Sequence, residues 1–285
     1  MSEITTARKE KRRNIEKALH IILILLLICV VLVPFYVAVI YAFKAKGDVG
    51  VNRLAIPRHW TLENFRMVIT QNSAFFIGYK NSLLNCVPTV VILMIITSMA
   101  AYVLARNKGR FYDVMYTIFT IGILIPFQCI MLTVYMDFFR WHLTSSNIGY
   151  ILVRVGMQVS ISILVVTSFV KTIPYELEEA ALIDGAGKFK TFWGIVFPLM
   201  RSVNITQLVL NSLFCWNDYN VSIVLLRTKE SKTLPLAQII YFNENTSELN
   251  YAFAFFLMSM IPILILYFCL QRYIVEGITS GAVKG

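Results

Sequence analysis

Charge is scarce in this chain, and acidic charge most of all. Its 285 residues hold 16 Asp and Glu against 26 Lys and Arg, and charged residues make up only 15% of the total, where a soluble domain carries about a quarter. Histidine occurs three times, as His20, His59 and His142, each far from the others. With no HExxH or GxSxG run beside them, the sequence lacks the marks of a metalloprotease or a serine hydrolase. It also has no GxxxxGKS/T phosphate loop, so nothing in it reads as a P-loop ATPase. The five cysteines, Cys29, Cys86, Cys129, Cys215 and Cys269, sit singly inside apolar runs without a CxxC pair. They read as small buried hydrophobes rather than metal ligands or disulfide partners. No internal repeat of the kind that builds inverted-repeat carriers is visible.

Apolar residues fill the space that charge leaves. They make up 58% of the chain, and the mean hydropathy is +0.68, so the chain belongs in a membrane. A spanning helix needs about 20 mostly apolar residues. That rule yields six candidates: Ala18 to Phe43, Ser82 to Ala105, Val114 to Met136, Gly149 to Val170, Val203 to Leu226, and Tyr251 to Tyr273. Pro34, Pro88, Pro126 and Pro262 fall inside these runs, and each is expected to kink its helix by removing a backbone donor. The first run is longer than a signal-peptide core and no small-x-small cleavage site closes it, so it reads as a span.

Basic residues mark the ends of the runs. The arm containing Arg8, Lys9, Lys11, Arg12, Arg13 and Lys17, the Arg106 to Arg110 turn and the Lys171 to Arg201 loop all fall on one side of the six spans. By the positive-inside bias that side is the cytoplasm, and both termini lie there. The net charge of +10 is dispersed over these ends and forms no single solvated face of the kind that binds nucleic acid. The resulting plan is a basic cytoplasmic arm over 1–17, an all-α membrane domain over 18–273, and a cytoplasmic tail over 274–285. The outer segment between the first two spans contains "IPRHWTLENF" and is expected to hold a short helix from Leu62 to Thr70.

One stretch does not fit the apolar pattern. Between the fourth and fifth spans, "YELEEAALIDGAGKFKTFWGIVFPLM" runs from Tyr175 to Met200. Pro174 suits a first helical turn, and Glu176, Glu178 and Glu179 suit the positive end of a helix. A helix from about Tyr175 to Ile183 follows, with the small residues Ala180 and Ala181 at its centre. Gly185, Ala186 and Gly187 then stop it, with Asp184 helping to fix the turn. Phe189, Phe192, Trp193, Val196 and Phe197 form the apolar stripe of a second helix that packs on the membrane helices. The product is a helix-turn-helix over 171–201 that presents an acidic, small-residue knob. Such acidity is unfavourable against an anionic leaflet and suits a protein partner.

Polar residues inside the spans are few. Arg154 is expected near the outer interface or facing a wet cavity, since a charge at a helix centre costs about 2.5–3.5 kcal/mol on insertion scales. Asn204, Gln207 and Asn211 share one helical face, and Trp216, Asn217 and Asp218 follow. That face either lines a translocation path, where amides and an indole suit sugar hydroxyls and ring faces, or serves as interhelical hydrogen-bond glue.

"EEAALIDGAGKFKTFWGIVFPL" resembles the EAA loop of ABC importer permeases, in which Glu-Ala-Ala is followed after three residues by glycine, here Glu179, Ala180, Ala181 and Gly185. "NSLLNCVPTVV", "CWNDYNVSIVLL" and the tail "QRYIVEGITSGAVKG" are similar to the carbohydrate-importer branch, the tail to that of the MalG-like member of the permease pair. Ser202 departs from a frequent proline, and Tyr219 from a more usual phenylalanine. The resemblance implies a six-span permease of a bacterial-type cytoplasmic membrane. Glu178, Glu179, Ala180, Ala181, Asp184, Gly185 and Ala186 would form a coupling helix seated in a cytoplasmic ATPase dimer, and the tail residues Gly277, Gly281 and Lys284 would run along the ATPase interface. It also implies a second homologous permease subunit and an extracytoplasmic solute-binding protein, with ATP and Mg held by the ATPase and no cofactor or metal on this chain. A permease for a non-sugar solute and an ATP-independent secondary carrier are the competing readings, and the acidic knob has no evident use in the second.

Overall fold

The computed structural model describes residues 2–49, 54–70, 73–241 and 248–282, with side chains described between 13 and 273. Thirteen α-helices follow one another in the described residues: α1 (Ser2–Phe43), α2 (Glu63–Thr70), α3 (Ala74–Arg106), α4 (Arg110–Gly122), α5 (Phe127–Arg140), α6 (Asn147–Val170), α7 (Glu176–Ile183), α8 (Lys188–Thr191), α9 (Phe197–Leu199), α10 (Arg201–Trp216), α11 (Asn220–Leu225), α12 (Leu234–Ala237) and α13 (Leu249–Ala282). Among these residues the only strand-like pairing is one isolated bridge between Lys44 and Trp60. Two compact units divide the chain, one of residues 1–71 and 241–258, the other of residues 72–240 and 259–285.

Four helical stretches are long and apolar enough to cross a membrane: Arg13–Phe43, Ala74–Arg106, Asn147–Val170 and Leu249–Tyr273. Two bent pairs raise the number to six if each counts as one span. This agrees with the expected all-α, six-span fold, with two differences. The third expected span is two helices, α4 and α5, meeting at 98°. Pro126, which has no amide hydrogen to donate, stands at the N-cap of α5. The fifth is α10, bent by 74° from the helical stretch Lys188–Leu199 before it, and it stops at Trp216 before the short α11. Sixteen residues reach roughly 24 Å at about 1.5 Å per residue, short of the ~30 Å hydrocarbon core. Pro34, Pro88 and Pro262, in contrast, lie inside helices that run on through them.

In the first unit, residues 13–36 of α1 are exposed along their whole length, as expected of a helix whose partners are lipid. Its end is held by Asn64 of α2. The Asn64 amide donates to the carbonyls of Ala42 (2.8 Å) and Lys44 (2.7 Å), groups a helix C-terminus leaves unbonded, and accepts from Asn250 of α13 (2.8 Å). Phe43 packs against the rings of Trp60 and Phe65. The short helix α2 begins within a residue of the Leu62 start expected for it.

The second unit is built on α3 and α6, with α10 packed against both. At one end a cluster of Ala101, Val166, Val170, Ile173, Phe192, Val196, Met200 and Val203 is buried. At the other end the segment 229–237 folds back on α3. Asn81 donates to the carbonyls of Glu230 and Lys232, and Ser82 accepts from the Leu234 amide. The α5–α6 turn is tied to the end of α11 by Ser145, whose amide donates to Leu225 and whose hydroxyl accepts from Arg227 and Thr228.

That turn demands glycine at position 149. A Cβ there would run into the carbonyl oxygen of Leu143, whereas a Cβ at Gly156, on the same helix, meets nothing within 4 Å. Gly149→Ala should therefore destabilise the protein by about 1–3 kcal/mol through overpacking. Gly156→Ala should be neutral or slightly stabilising, because alanine is the better helix former. Thermal unfolding in detergent would check both, and equal midpoints for the two variants would contradict this account of the turn.

Candidate functional site

The segment joining α6 to α10 folds as a helix-turn-helix. Helix α6 closes at Lys171, whose amide reaches Thr167 (3.1 Å), and the Tyr175 carbonyl accepts from Glu178 and Glu179 to start α7. Its C-terminus is a Schellman closure: Gly185 N–H bonds Leu182 O (3.1 Å) and Ala186 N–H bonds Ala181 O (2.9 Å). This requires the left-handed backbone seen at Gly185, where φ is +79°, a conformation that glycine adopts at no steric cost. Backbone bonds close the turn, and the Asp184 carboxylate expected to help is exposed. Helices α8 and α9 are joined by a π-helical stretch over Phe192–Val196, so the second arm is one helical rod with a local widening. Phe192 and Val196 seat this rod in the buried cluster, with Trp193 and Phe197 packed against it. Phe189, expected in the same stripe, instead stands 70% exposed.

The two faces of α7 differ sharply. Glu176, Glu179, Ala180 and Ile183, spaced i, i+3, i+4 and i+7, are exposed, Ile183 to 86%. Glu178 and Ala181, expected on the docking knob, point the other way and are buried. Glu178 meets the last turn of α3. Its Oε1 accepts from Arg106 Nε at 2.7 Å and its Oε2 from the Tyr102 hydroxyl at 2.8 Å. Arg106 also donates to the Ile173 carbonyl at 2.8 Å and lies over the Tyr175 ring. A cavity of about 490 Å³ opens beside this group, bounded also by Tyr112, Leu182, Lys188 and Phe189. In the sequence Arg106 was only one of the basic residues marking a run's end. Its partner stands 72 positions away, and no local periodicity could have paired them.

The polar face of α10 is turned into the bundle. Asn204, Gln207 and Asn211 are buried between helices. Asn204 accepts from Ser98 of α3, and Asn211 from Gln158 of α6 at 2.8 Å while donating to Gln207 and Ser162. Trp216 is likewise buried, donating its indole N–H to Ser259 O at 2.9 Å with its ring nearly perpendicular to that of Tyr79.

The break after α10 brings Arg154 and Asp218 together, a pairing the sequence did not reveal. Arg154 donates to Asp218 at 3.3 Å and to the Phe214 carbonyl at 2.6 Å. Asp218 also accepts from the amides of Val221 and Ser222 at the start of α11. The pair thus bonds groups at both cut ends of the helix. An open hollow of about 550 Å³ lies alongside, lined by this pair, Phe214, Asn217, Tyr219 and Asn220, and all of these but the pair are exposed. Of the tail residues, Gly277 and Gly281 lie on the backbone of α13, and Lys284 falls outside the described residues. No group of three or more metal-ligating side chains occurs among the described residues.

Residues 97–280 match the family described as binding-protein-dependent transport system inner membrane component. Over 251 residues the chain is 34% identical to a probable starch degradation products transport system permease protein of Thermoanaerobacterium thermosulfurigenes, covering 88% of this chain and 91% of that one. It is 31% identical over 272 residues to a melibiose/raffinose/stachyose import permease protein of Bacillus subtilis, with 94% and 98% covered. Its fold superposes on a chain of a crystallised bacterial ABC transporter involved in the import of the acidic polysaccharide alginate, with a TM-score of 0.80, 22% identity, and 91% and 96% of the two chains covered.

Removing one member of a buried ion pair leaves the other charge uncompensated, which costs about 3–5 kcal/mol. Asp218→Ala should lose stability on that scale, because Arg154 and the first amides of α11 lose their acceptor together. Adding Arg154→Met to it should recover part of the loss. A double-mutant cycle by thermal unfolding in detergent checks this, and strictly additive losses would show that the two side chains do not act as a pair.

Proposed function

This chain belongs to the family of binding-protein-dependent transport system inner membrane components, and from that premise we propose that it is the permease subunit of an ATP-driven importer for an oligosaccharide or related sugar. The observation that carries the coupling part of this reading is the exposed face of α7. An eight-residue helix ends in a sharp glycine turn and turns Glu179, Ala180 and Ile183 away from its own packed face. A charged group beside small and apolar ones suits insertion into a cleft of a partner protein. The exposed apolar residues Ile183 and Phe189 add to the surface expected from Glu179 and Ala180, whereas Glu178 and Ala181 act from behind it.

The partner is a cytoplasmic ATPase dimer, since this chain has no phosphate loop of its own. ATP and Mg reside there, and this chain catalyses no reaction. Closure of that dimer displaces α7. The displacement passes through α8, the π-helical stretch and α9 into α10, and so alternates access across the membrane. A second homologous permease completes the pathway, and an extracytoplasmic solute-binding protein delivers the substrate. The sugar class is supported by the names of the relatives. On this chain the groups suited to meet a sugar are the exposed Asn217, Tyr219 and Asn220 beside the hollow at the α10–α11 break, where amides and an aromatic ring offer hydrogen bonds and stacking.

The test is purification of the chain from its native membrane in mild detergent, with the ATPase expected to accompany it. Ile183→Asp and Glu179→Trp should each weaken that association about 30-fold, the scale of a 2 kcal/mol interfacial hot spot, with membrane insertion intact. Glu176→Gln, at the edge of the same face, should change it little. Full retention of the ATPase by both of the first two variants would overturn the docking surface.

A further inference from the structure

Helix α7 is held to the membrane helices by unusual means. The rod that follows it is seated by apolar packing of Phe192, Val196 and Met200 on Ala101, Val166 and Val170. Within α7 itself only Glu178 and Ala181 are buried. A helix of eight residues has too few turns to be stable alone, and Ala181 contributes a single methyl group, so the orientation of α7 rests chiefly on Glu178. Both carboxylate oxygens of Glu178 are occupied, and both by α3: Arg106 Nε on one and the Tyr102 hydroxyl on the other. The guanidinium also holds the Ile173 carbonyl in the linker from α6, so one side chain fastens three segments.

This fastening is largely buried, with side-chain exposures of 12% for Arg106 and 3% for Glu178, where screening is weaker than at the open surface. Directly beside it is the cavity of about 490 Å³. A void next to a short helix gives that helix room to tilt, and the ion pair is what holds it at a set distance from α3.

Resting on the coupling role proposed for α7, we infer that Arg106 and Glu178 form a latch that transmits to α3 the displacement imposed on the exposed face of α7, with Tyr102 aligning the carboxylate. Force entering α7 then has two routes, one along the chain into α10 and one through the latch into α3. Arg106, Glu178 and Tyr102 are positioning residues, and none of them meets the partner surface directly. A lysine would not substitute for Arg106, because it lacks the planar fork that serves a carboxylate and a carbonyl together.

Hydrogen exchange on the transporter purified with its ATPase, with and without Mg-ATP and vanadate, separates the two routes. In the wild type, nucleotide should change exchange at Glu179–Ile183 of α7 and at Val103–Arg106 of α3. In Glu178→Gln, Arg106→Gln and Arg106→Lys the response at α7 should persist while that at α3 falls about fivefold or more, the lower end of typical coupling between sites. The exchange of charges, Arg106→Glu with Glu178→Arg, should restore part of it, which a merely structural lesion would not allow. An undiminished α3 response in all three single variants overturns the latch, as does a loss that the charge exchange leaves unrepaired. No response at α7 in the wild type would instead be the failure of the coupling role itself, and the latch would fall with it.

Discussion

A backbone amide or carbonyl left unbonded in hydrocarbon costs several kcal/mol, and the architecture of this chain follows from where it meets that constraint. Continuous helices meet it internally. The two interruptions of regular helix within the apolar runs are each repaired by a different means. Between α4 and α5 the last turn tightens, with the amides of Ile123, Leu124 and Ile125 reaching back three residues, and proline supplies no donor at the corner. Between α10 and α11 side chains do the work, as Arg154 takes the Phe214 carbonyl and Asp218 takes the Val221 and Ser222 amides. Because those side chains carry opposite charges, each also offsets the other's desolvation.

The same economy of polar groups explains the loop between α6 and α10. Outside the apolar core, α7 cannot be fixed by packing alone if its small, exposed face is to remain free for a partner. A buried ion pair on the opposite face solves this, since it orients the helix strongly while using only one position of it. The adjoining rod is free of that restriction and is seated by aromatic and aliphatic burial. Seat and latch therefore divide the loop into a part that follows α10 and a part tied to α3, and the proposed transmission depends on that division.

Polar residues of the spans sort by the same reasoning. Asn204, Gln207 and Asn211 each find a partner on a neighbouring helix or one turn along their own, and such bonds hold a bundle together where lipid removes the hydrophobic drive for helix association. In the fifth expected span, polar groups become exposed at the interruption after Trp216, beside the hollow that Asn217, Tyr219 and Asn220 help line.

Much of this was decided locally and so could be read from the residues in order. The apolar runs, the short helix beginning near Leu62, the α7 boundary at Ile183 and the left-handed turn at Gly185 depend on side chains within a few positions of one another. What tertiary structure alone decided was which way each side chain faces and what it meets. Glu178 and Glu179 are neighbours of identical chemistry, yet one lies against Arg106 and the other in the open, because a 100° step around the helix separates a face packed on α3 from a free one. Phe189 fits the periodicity of its stripe but falls beyond the reach of the buried cluster. Arg154 and Asp218 stand 64 positions apart and meet only because α6 and α10 pack side by side. Periodicity in a sequence carries the first kind of information, and it carries none about pairings that depend on how separate helices are placed.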